Sequence, residues 1–244
     1  MSISERQQKI LQTLGEQQFI TVQALAKQTF TSPSSIRRDL STLENQGLVR
    51  RTHGGVTLPE PVRGVASFQR RKSKNVSQKR LIAKKAAALL RDGQSILLDG
   101  SSTVTFLLPY IARRSGIKLF VNNLSTAMSA IELGIDTYCL GGHSVNGSAV
   151  LSGSGAYQAL ASLQVDILFF SSQSLAADGT ISDSTEEENY LRSLMVQAAQ
   201  TRVFLCDSEK FGKQSLFTLG RLDEIDLAVF DREYPELEHC CPLL

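Results

Sequence analysis

Apolar positions recur at helical spacing through residues 3–17, at Ile10, Leu11 and Leu14, and Gly15 with the polar stretch behind it ends that pattern. A second short run, "VQALAKQT", turns Val22, Leu25 and Ala26 inward, and Thr21 before it is a good N-cap. A third run, "SPSSIRRDLSTLENQG", opens on Ser32 as a cap with Pro33 at the first helical position, and Gly47 fits its exit. Ile36, Leu40 and Leu43 stand at i, i+4 and i+7 and predict one buried stripe. The opposite face holds Ser34, Arg38, Ser41 and Asn45, flanked by Arg37 and Thr42, with no large apolar residue. "LVRRTHGGVTL" then reads as a short β-hairpin, with Gly54 and Gly55 able to take positive φ at the turn. Residues 57–75 show no period and hold Pro59-Glu60-Pro61, as an interdomain connection would.

From Gln78 the pattern changes. "QKRLIAKKAAALL" is an amphipathic helix closed by Asp92-Gly93. Six short apolar runs follow, "SILLD", "KLFVNN", "DTYCLGG", "DILFFSS", "RVFLCD" and "DLAVFD", separated by helical stretches. Continuous apolar strands alternating with helices predict a parallel sheet covered on both faces. The expected fold class is therefore α/β: a winged helix-turn-helix over 1–58, a linker over 59–75, and a doubly wound, mostly parallel α/β sheet domain over 76–244.

Charge sharpens this division. The net charge is +2, yet residues 1–91 carry 17 Lys+Arg against 5 Asp+Glu, and residues 92–244 carry 9 against 19. A basic front half on an acidic body points to a polyanion partner; the plainer alternative is a solvated basic linker. Arg70 to Lys74 fit either DNA contact or such a linker. No apolar run approaches the roughly 18 residues needed to span a membrane. The N-terminal stretch has no signal-peptide pattern. Cys139 and Cys206 lie in apolar runs and are expected to be buried reduced thiols, which suits the cytoplasm. The four cysteines lack metal spacing and the three histidines are scattered, so no metal is expected, and no cofactor is assigned.

The third helix has the chemistry of a DNA reader. Arg bonds guanine O6 and N7 with two donors, and Ser and Thr reach phosphates or base edges. Ser34, Ser35, Arg37, Arg38, Ser41 and Thr42 are the candidates on the helix, and Arg50, Arg51, His53 and Gly54 on the hairpin. A hairpin bearing Arg can follow the phosphates or enter a narrow minor groove. Two Arg-Arg pairs then become two contacts on one duplex. Asp39 is read as an orienting partner, because a carboxylate facing phosphate is repelled. A three-helix domain with a solvated polar face remains the alternative.

In parallel sheets, ligands bind outside the carboxyl ends of the strands. The first run ends at Asp99-Gly100-Ser101-Ser102-Thr103, where a glycine, hydroxyls and a following helix N-terminus would suit an anion. Asn123 ends the second run, Gly141 and Gly142 the third, and Asp207 with Lys210 the fifth. Together these suit a phosphorylated polyol, although a Gly-Ser-Ser loop can also simply cap a helix. Glu186 to Glu188 suit the dipole of a helix start, with Glu187 or Asn189 as less favoured ligand contacts.

"TVQALAKQT" and "SSIRRDLSTLENQGLVRRTHGGV" resemble the winged helix of the DeoR family of bacterial transcriptional regulators, and "LLDGSST", "VNN", "LGG", "DGTISD" and "CDSEKFG" stand in the order of its sensor domain. That sensor domain is similar to ribose-5-phosphate isomerase. The resemblance implies binding of double-stranded operator DNA and of a phosphorylated sugar, by a homo-oligomer (dimer or tetramer) in the cytoplasm. It places phosphate on Gly100 to Thr103, sugar hydroxyls on Asp99 and Asn123, and the anionic end on Lys210. Before the third helix the family has Val-Ser and within it Thr-Ile-Arg-Arg-Asp, where this chain has "TSPSSIRRD". Ser171-Ser172-Gln173-Ser174 stand where many members are Gly-rich. An isomerase-like enzyme with a DNA-binding appendage is the alternative function. Against it, "FFSSQSL" offers no carboxylate where the isomerases have an Asp-rich loop, and their Lys-Gly-Arg-Gly-Gly segment is absent. A purely architectural DNA binder leaves the polar-rimmed sheet unexplained, and an RNA reader lacks stacking aromatics.

Overall fold

The computed structural model describes residues 4–16, 19–45, 48–52, 54–57, 63–237 and 239–244. The chain divides into two compact units, residues 1–62 and 63–244. The first is a winged helix-turn-helix of helix α1 (Glu5–Glu16), strand β1 (Phe19–Thr21), helices α2 (Val22–Gln28) and α3 (Pro33–Asn45), and strands β2 (Arg50–Thr52) and β3 (Gly55–Thr57). Thr21 Oγ1 accepts from the Ala24 N–H at 3.1 Å and Ser32 Oγ from the Ser35 N–H at 3.3 Å, so both helix starts have a satisfied donor. Ile36, Leu40 and Leu43 are fully buried and close one core with Ile10, Leu14 and Leu25. Asp39 sits beside that stripe, and its carboxylate accepts from the Arg6 guanidinium of α1.

Strand β1 was not evident in the pattern. It pairs antiparallel with β3, which makes β3 the central strand of the wing, in the order β1-β3-β2. This changes the reading of the glycine pair. Gly54 has φ +89°, as a tight turn requires, but Gly55 does not have positive φ. A Cβ on Gly55 would lie 2.5 Å from the Phe19 ring and 2.6 Å from the Ile20 carbonyl oxygen. Gly55 is thus required by the close approach of β1. Gly47 and His53 lie outside the described residues.

The second unit opens with helices α4 (Arg63–Ser73) and α5 (Val76–Ala86). Strand β4 (Ser95–Leu98), helix α6 (Leu108–Ile111), strand β5 (Lys118–Val121), helix α7 (Leu124–Glu132) and strand β6 (Thr137–Cys139) follow. A small hairpin, β7 (His143–Ser144) and β8 (Leu151–Ser152), leads to helix α8 (Ser154–Ala161) and strand β9 (Val165–Phe170). Then come β10 (Ser174–Leu175), β11 (Thr180–Asp183), α9 (Glu186–Gln197), β12 (Ala199–Cys206), β13 (Phe217–Arg221) and β14 (Leu227–Phe230). The six apolar runs become one parallel sheet in the order β14-β12-β9-β4-β5-β6. Strand side chains alternate between two cores. Ile96, Leu98, Phe169 and Leu205 face α5 and α7, and Leu97, Phe170, Phe204 and Phe230 face α8 and α9. Burial on both faces explains the continuous apolar runs.

Three expectations are corrected here. Residues 63–73 are helical, so the aperiodic stretch is not all connection. Phe68 anchors that helix at 1% exposure, the one buried apolar side chain among those described in it. Cys139 is exposed, because β6 is the sheet edge; Cys206, in an inner strand, is buried, and all four cysteines are free thiols. The charge division also moves. Residues 1–62 hold 7 Lys+Arg and 5 Asp+Glu, whereas residues 63–91 hold 10 Lys+Arg and no acid. The basic excess therefore belongs to α4 and α5 of the second unit.

Replacing Gly55 by Ala tests the packing at the wing. The added methyl must displace backbone, so Gly55→Ala is expected to destabilise the first unit by about 1–3 kcal/mol. Gly54→Asn, at a turn position asparagine tolerates, is expected to cost far less. Thermal melts of both variants followed by circular dichroism check this.

Candidate functional site

The outer face of α3 presents Ser34, Arg37, Arg38 and Thr42 to solvent, with Ser35 and Ser41 half-buried. Its hydroxyls are already occupied. Ser41 Oγ donates to the Arg37 carbonyl at 2.9 Å, Thr42 Oγ1 to the Arg38 carbonyl at 3.1 Å, and Ser34 and Ser35 pair with Ser32. The wing arginines differ. Arg51 ties wing to helix, its N–H reaching Glu44 Oε1 at 3.0 Å and its Nη1 reaching Ser41 Oγ at 3.3 Å. Arg50 is exposed on the same strand. The face therefore offers Arg37, Arg38 and Arg50 as outward cations, with Arg51 as the brace between α3 and the wing. Gly54 is exposed at the turn.

In the second unit the chain runs β4, β5, β6 to one side and β9, β12, β14 to the other, so the strand order reverses between β4 and β9. The carboxyl ends of β4, β9 and β12 meet there around a cavity of about 530 Å³. Such a crevice is where an open α/β sheet takes a ligand. Gly100, Ser101, Ser102 and Lys210 all line it. Ser101 Oγ is buried with no hydrogen-bond partner. Lys210 Nζ donates to Ser171 Oγ at 2.7 Å and lies 3.5 Å from Thr103 Oγ1.

Four of the expected residues are placed differently. Thr103 is fully buried behind the wall. Asp99 is 1% exposed and its oxygens are taken: Oδ1 by the Ser101 N–H at 3.1 Å, Oδ2 by Ser171 N–H at 3.3 Å and Arg192 Nε at 3.0 Å. A carboxylate so engaged has little left for sugar hydroxyls. Asn123 is buried, caps α7 by accepting from Thr126 N–H at 3.1 Å, and donates to the Gly100 carbonyl at 3.3 Å. It braces the loop from outside the cavity. Gly142 stands in the small hairpin with φ +125°, where a Cβ would meet the Ser152 carbonyl oxygen at 2.2 Å. The helix expected after Thr103 is also missing. A 3-10 turn, Val104–Leu107, precedes the four-residue α6, so little helix dipole reaches the loop.

Side chains supply the positive charge instead, and sequence reasoning missed the main one. Lys79 of α5 is 4% exposed, and its Nζ donates to the carbonyls of Arg71 and Lys74 (2.8 Å for the latter) and to Ser102 Oγ at 3.2 Å. Burial pushes its pKa down from 10.5 to about 8, against the attraction of Asp207. The signal was present: Lys79 falls on the Ile82, Ala83, Ala86 stripe, where an apolar residue belongs. Arg192 was hidden likewise on the buried face of α9 with Leu191 and Met195. Burial opposes its charge, but Asp183 and Asp99 outweigh that and raise its pKa. Of the acidic helix start, Glu188 lines the cavity, whereas Glu187 lies 3.3 Å from His143 and Asn189 donates to the Thr218 carbonyl. Burial pushes the Glu188 carboxyl up, against the pull of Arg192. Among the described residues, no group of three or more His, Cys, Asp or Glu is arranged to hold a metal, and no helix is long and apolar enough to cross a membrane.

A charged lysine in this position costs stability. Between pH 8 and 10.5 the unfolded chain binds the Lys79 proton more tightly than the folded one, so parent stability rises with pH across that window. Lys79→Met is expected to stabilise the protein by about 1–3 kcal/mol at pH 7, a gain that fades toward pH 10.5. Urea titrations at pH 7 and pH 10 measure both; a loss of stability at pH 7 would make Lys79 a structural residue.

The comparisons with known proteins cover nearly the whole chain. The family model of the DeoR-like helix-turn-helix domain matches residues 6–62, and that of the DeoR C terminal sensor domain matches residues 74–232. The HTH-type transcriptional regulator GolR of Listeria innocua is 30% identical over 94% of this chain and 91% of its own length. The HTH-type transcriptional repressor GlcR of Bacillus subtilis is 31% identical over 93% and 88%. The L-fucose operon activator of Haemophilus influenzae is 32% identical over 95% and 93%. Among solved structures, ribose 5-phosphate isomerase A of Methanocaldococcus jannaschii overlaps 57% of this chain and 55% of its own, with 18% identity and a TM-score of 0.43. The chain belongs to the DeoR family of transcriptional regulators.

Proposed function

We propose that this regulator represses a carbohydrate-metabolism operon, reading operator DNA with α3 and the wing and binding a phosphorylated sugar in the cavity of the second unit. The observation that carries the effector is the grouping of Lys79 and Lys210 with Ser101 and Ser102 at the switch point of the sheet. Two ammonium groups and an unpartnered hydroxyl suit a phosphate, and Gln173 and Ser184 on the same cavity suit a polyol. A relative named as an L-fucose operon activator supports the sugar class, and the relatives include a repressor as well. Repression is our reading. Two copies are needed to engage two half-sites, so the chain is read as a homo-oligomer.

Turnover is not part of this reading. Isomerisation needs a general base beside the substrate carbon. Asp183 is held by Arg192, Asp207 by Asn75 and Glu209 by Lys74, which leaves Glu188 as the cavity carboxylate that a catalytic reading would have to use. Incubation with the bound sugar phosphate, followed by proton NMR, separates the two: an unchanged spectrum is expected, and a new isomer would make the protein an enzyme.

A thermal-shift panel of phosphorylated sugars identifies the effector, since a ligand at 100 times its Kd stabilises by about 2.7 kcal/mol. Ser102→Asp is expected to abolish that shift by setting a carboxylate where the phosphate sits, and Lys210→Ala to weaken it. Arg38→Ala is expected to cost about 1–3 kcal/mol on the operator and little on random DNA. Arg50→Ala is expected to weaken both alike and to lower the salt slope by about one. Gel-shift titrations at several salt concentrations decide; unchanged operator affinity for Arg38→Ala removes α3 from the reading role.

A further inference from the structure

The chain leaves the winged helix at residue 62 and enters α4 directly, and the last turn of α4 forms part of the cavity wall. Resting on the reading of this cavity as an anion site, we propose that Lys79 is a latch holding the end of α4, that an anion on Ser102 opens it, and that Asn75 is the hinge on which α4 then moves.

An ammonium has three N–H donors and no acceptor. In Lys79 one reaches the Arg71 carbonyl, one the Lys74 carbonyl and one Ser102 Oγ. The first two acceptors belong to the final turn of α4 and the residue just beyond it. The third belongs to the anion loop. All three donors are committed, so a new acceptor must displace an old one. A hydrogen bond to an anionic oxygen is roughly twice as strong as one between neutral groups. An anion on the Ser101–Ser102 loop therefore draws the ammonium toward itself and away from the two carbonyls.

The joint beyond is built to yield. Asn75 has φ 55° and ψ 40°, the left-handed region, and it is one of two non-glycine residues with positive φ among those described. That conformation costs most residues about 1–2 kcal/mol and asparagine less, so it can be given up or kept at small cost. It is held by the side-chain amide, which donates to Asp207 at 3.1 Å and to Glu209 at 2.6 Å. Lys74 is paired with the same Glu209, whose pKa is lowered by Lys74 first and Asn75 second. Arg71, Lys74 and Asn75 all line the cavity. One short segment thus carries the latch's carbonyls, cations that an anion attracts, and the left-handed joint. Occupancy of the cavity reaches the element that begins where the DNA-binding unit ends.

The test needs no identified ligand. Full-length protein is assayed on an operator selected from random duplexes, with amide hydrogen exchange read over residues 69–75. Lys79→Met, which opens the latch, is expected to speed exchange in that segment and to change operator affinity about tenfold without ligand. Lys84→Met removes an exposed charge from the same helix and is expected to stay within about twofold. Ser102→Asp fixes a carboxylate beside the ammonium and is expected to speed exchange as an anion would, with no further effect in combination with Lys79→Met. Asn75→Gly keeps the left-handed backbone, loses the amide's ties and is expected to loosen α4 in the same way. Unchanged exchange in Lys79→Met, or faster exchange with operator affinity within about twofold of the parent, overturns the latch. If a sugar phosphate binds and these variants show no effect, the latch fails and the effector reading stands. If the variants act as expected and no sugar phosphate binds, the effector reading fails.

Discussion

The Arg192 guanidinium lies out of water between Asp99 and Asp183, and much of the sensor unit is arranged around it. Asp99 follows β4, Asp183 ends β11, and Arg192 comes from α9, so one cation joins three parts of the chain. The loop after β4 depends on this. Asp99 accepts from Ser101 N–H and Ser171 N–H, which hangs the loops after β4 and β9 on a single buried carboxylate. Asp183 does the same for Gln173 N–H at 2.9 Å. A buried ion pair contributes little net stability, but removing one partner costs about 3–5 kcal/mol because the other charge is left alone. Such a group fixes geometry at modest cost. It allows a cavity wall of serines and lysines to keep its shape above a floor of apolar strands.

Lys79 is the opposite case. It stands on an apolar stripe with no carboxylate bonded to it; peptide carbonyls and a hydroxyl take its three donors, and Asp207 attracts it without a hydrogen bond. On the proposed reading, an anion in the cavity would supply a full hydrogen-bonded countercharge, and its binding would release the end of α4. Three cations of the basic segment 63–91, Arg71, Lys74 and Lys79, line the cavity.

Most of the architecture was legible because it rests on local rules. Burial on both faces wrote the inner apolar runs into the chain, and all six runs became strands of the parallel sheet, with β6 at its exposed edge. The Ile36, Leu40, Leu43 stripe and the Thr21 and Ser32 caps were equally plain. What escaped was set by neighbours distant in sequence. Strand β1 is three residues long and exists because β3 accepts it, so Gly55 looked like a turn residue. Helix α4 has one apolar anchor among its described side chains, Phe68. In the candidate site, residues beside strand ends were found by rule, including Ser101, Ser102 and Lys210. Asn123 and Gly142 also follow strands, but the outer strands β5 and β6 end away from the switch point. Lys79 and Arg192 arrive from helices, and only their misplacement on apolar faces marked them.

Two sites on one chain make a regulator when each binding event alters the other, and the two effects must then be equal. The direct measurement is reciprocal. Operator affinity is determined with and without saturating sugar phosphate, and sugar-phosphate affinity with and without operator. A coupled regulator gives the same factor from both directions, on the order of 5- to 150-fold. Operator affinity that does not change at saturating ligand would contradict the coupling of cavity and winged helix.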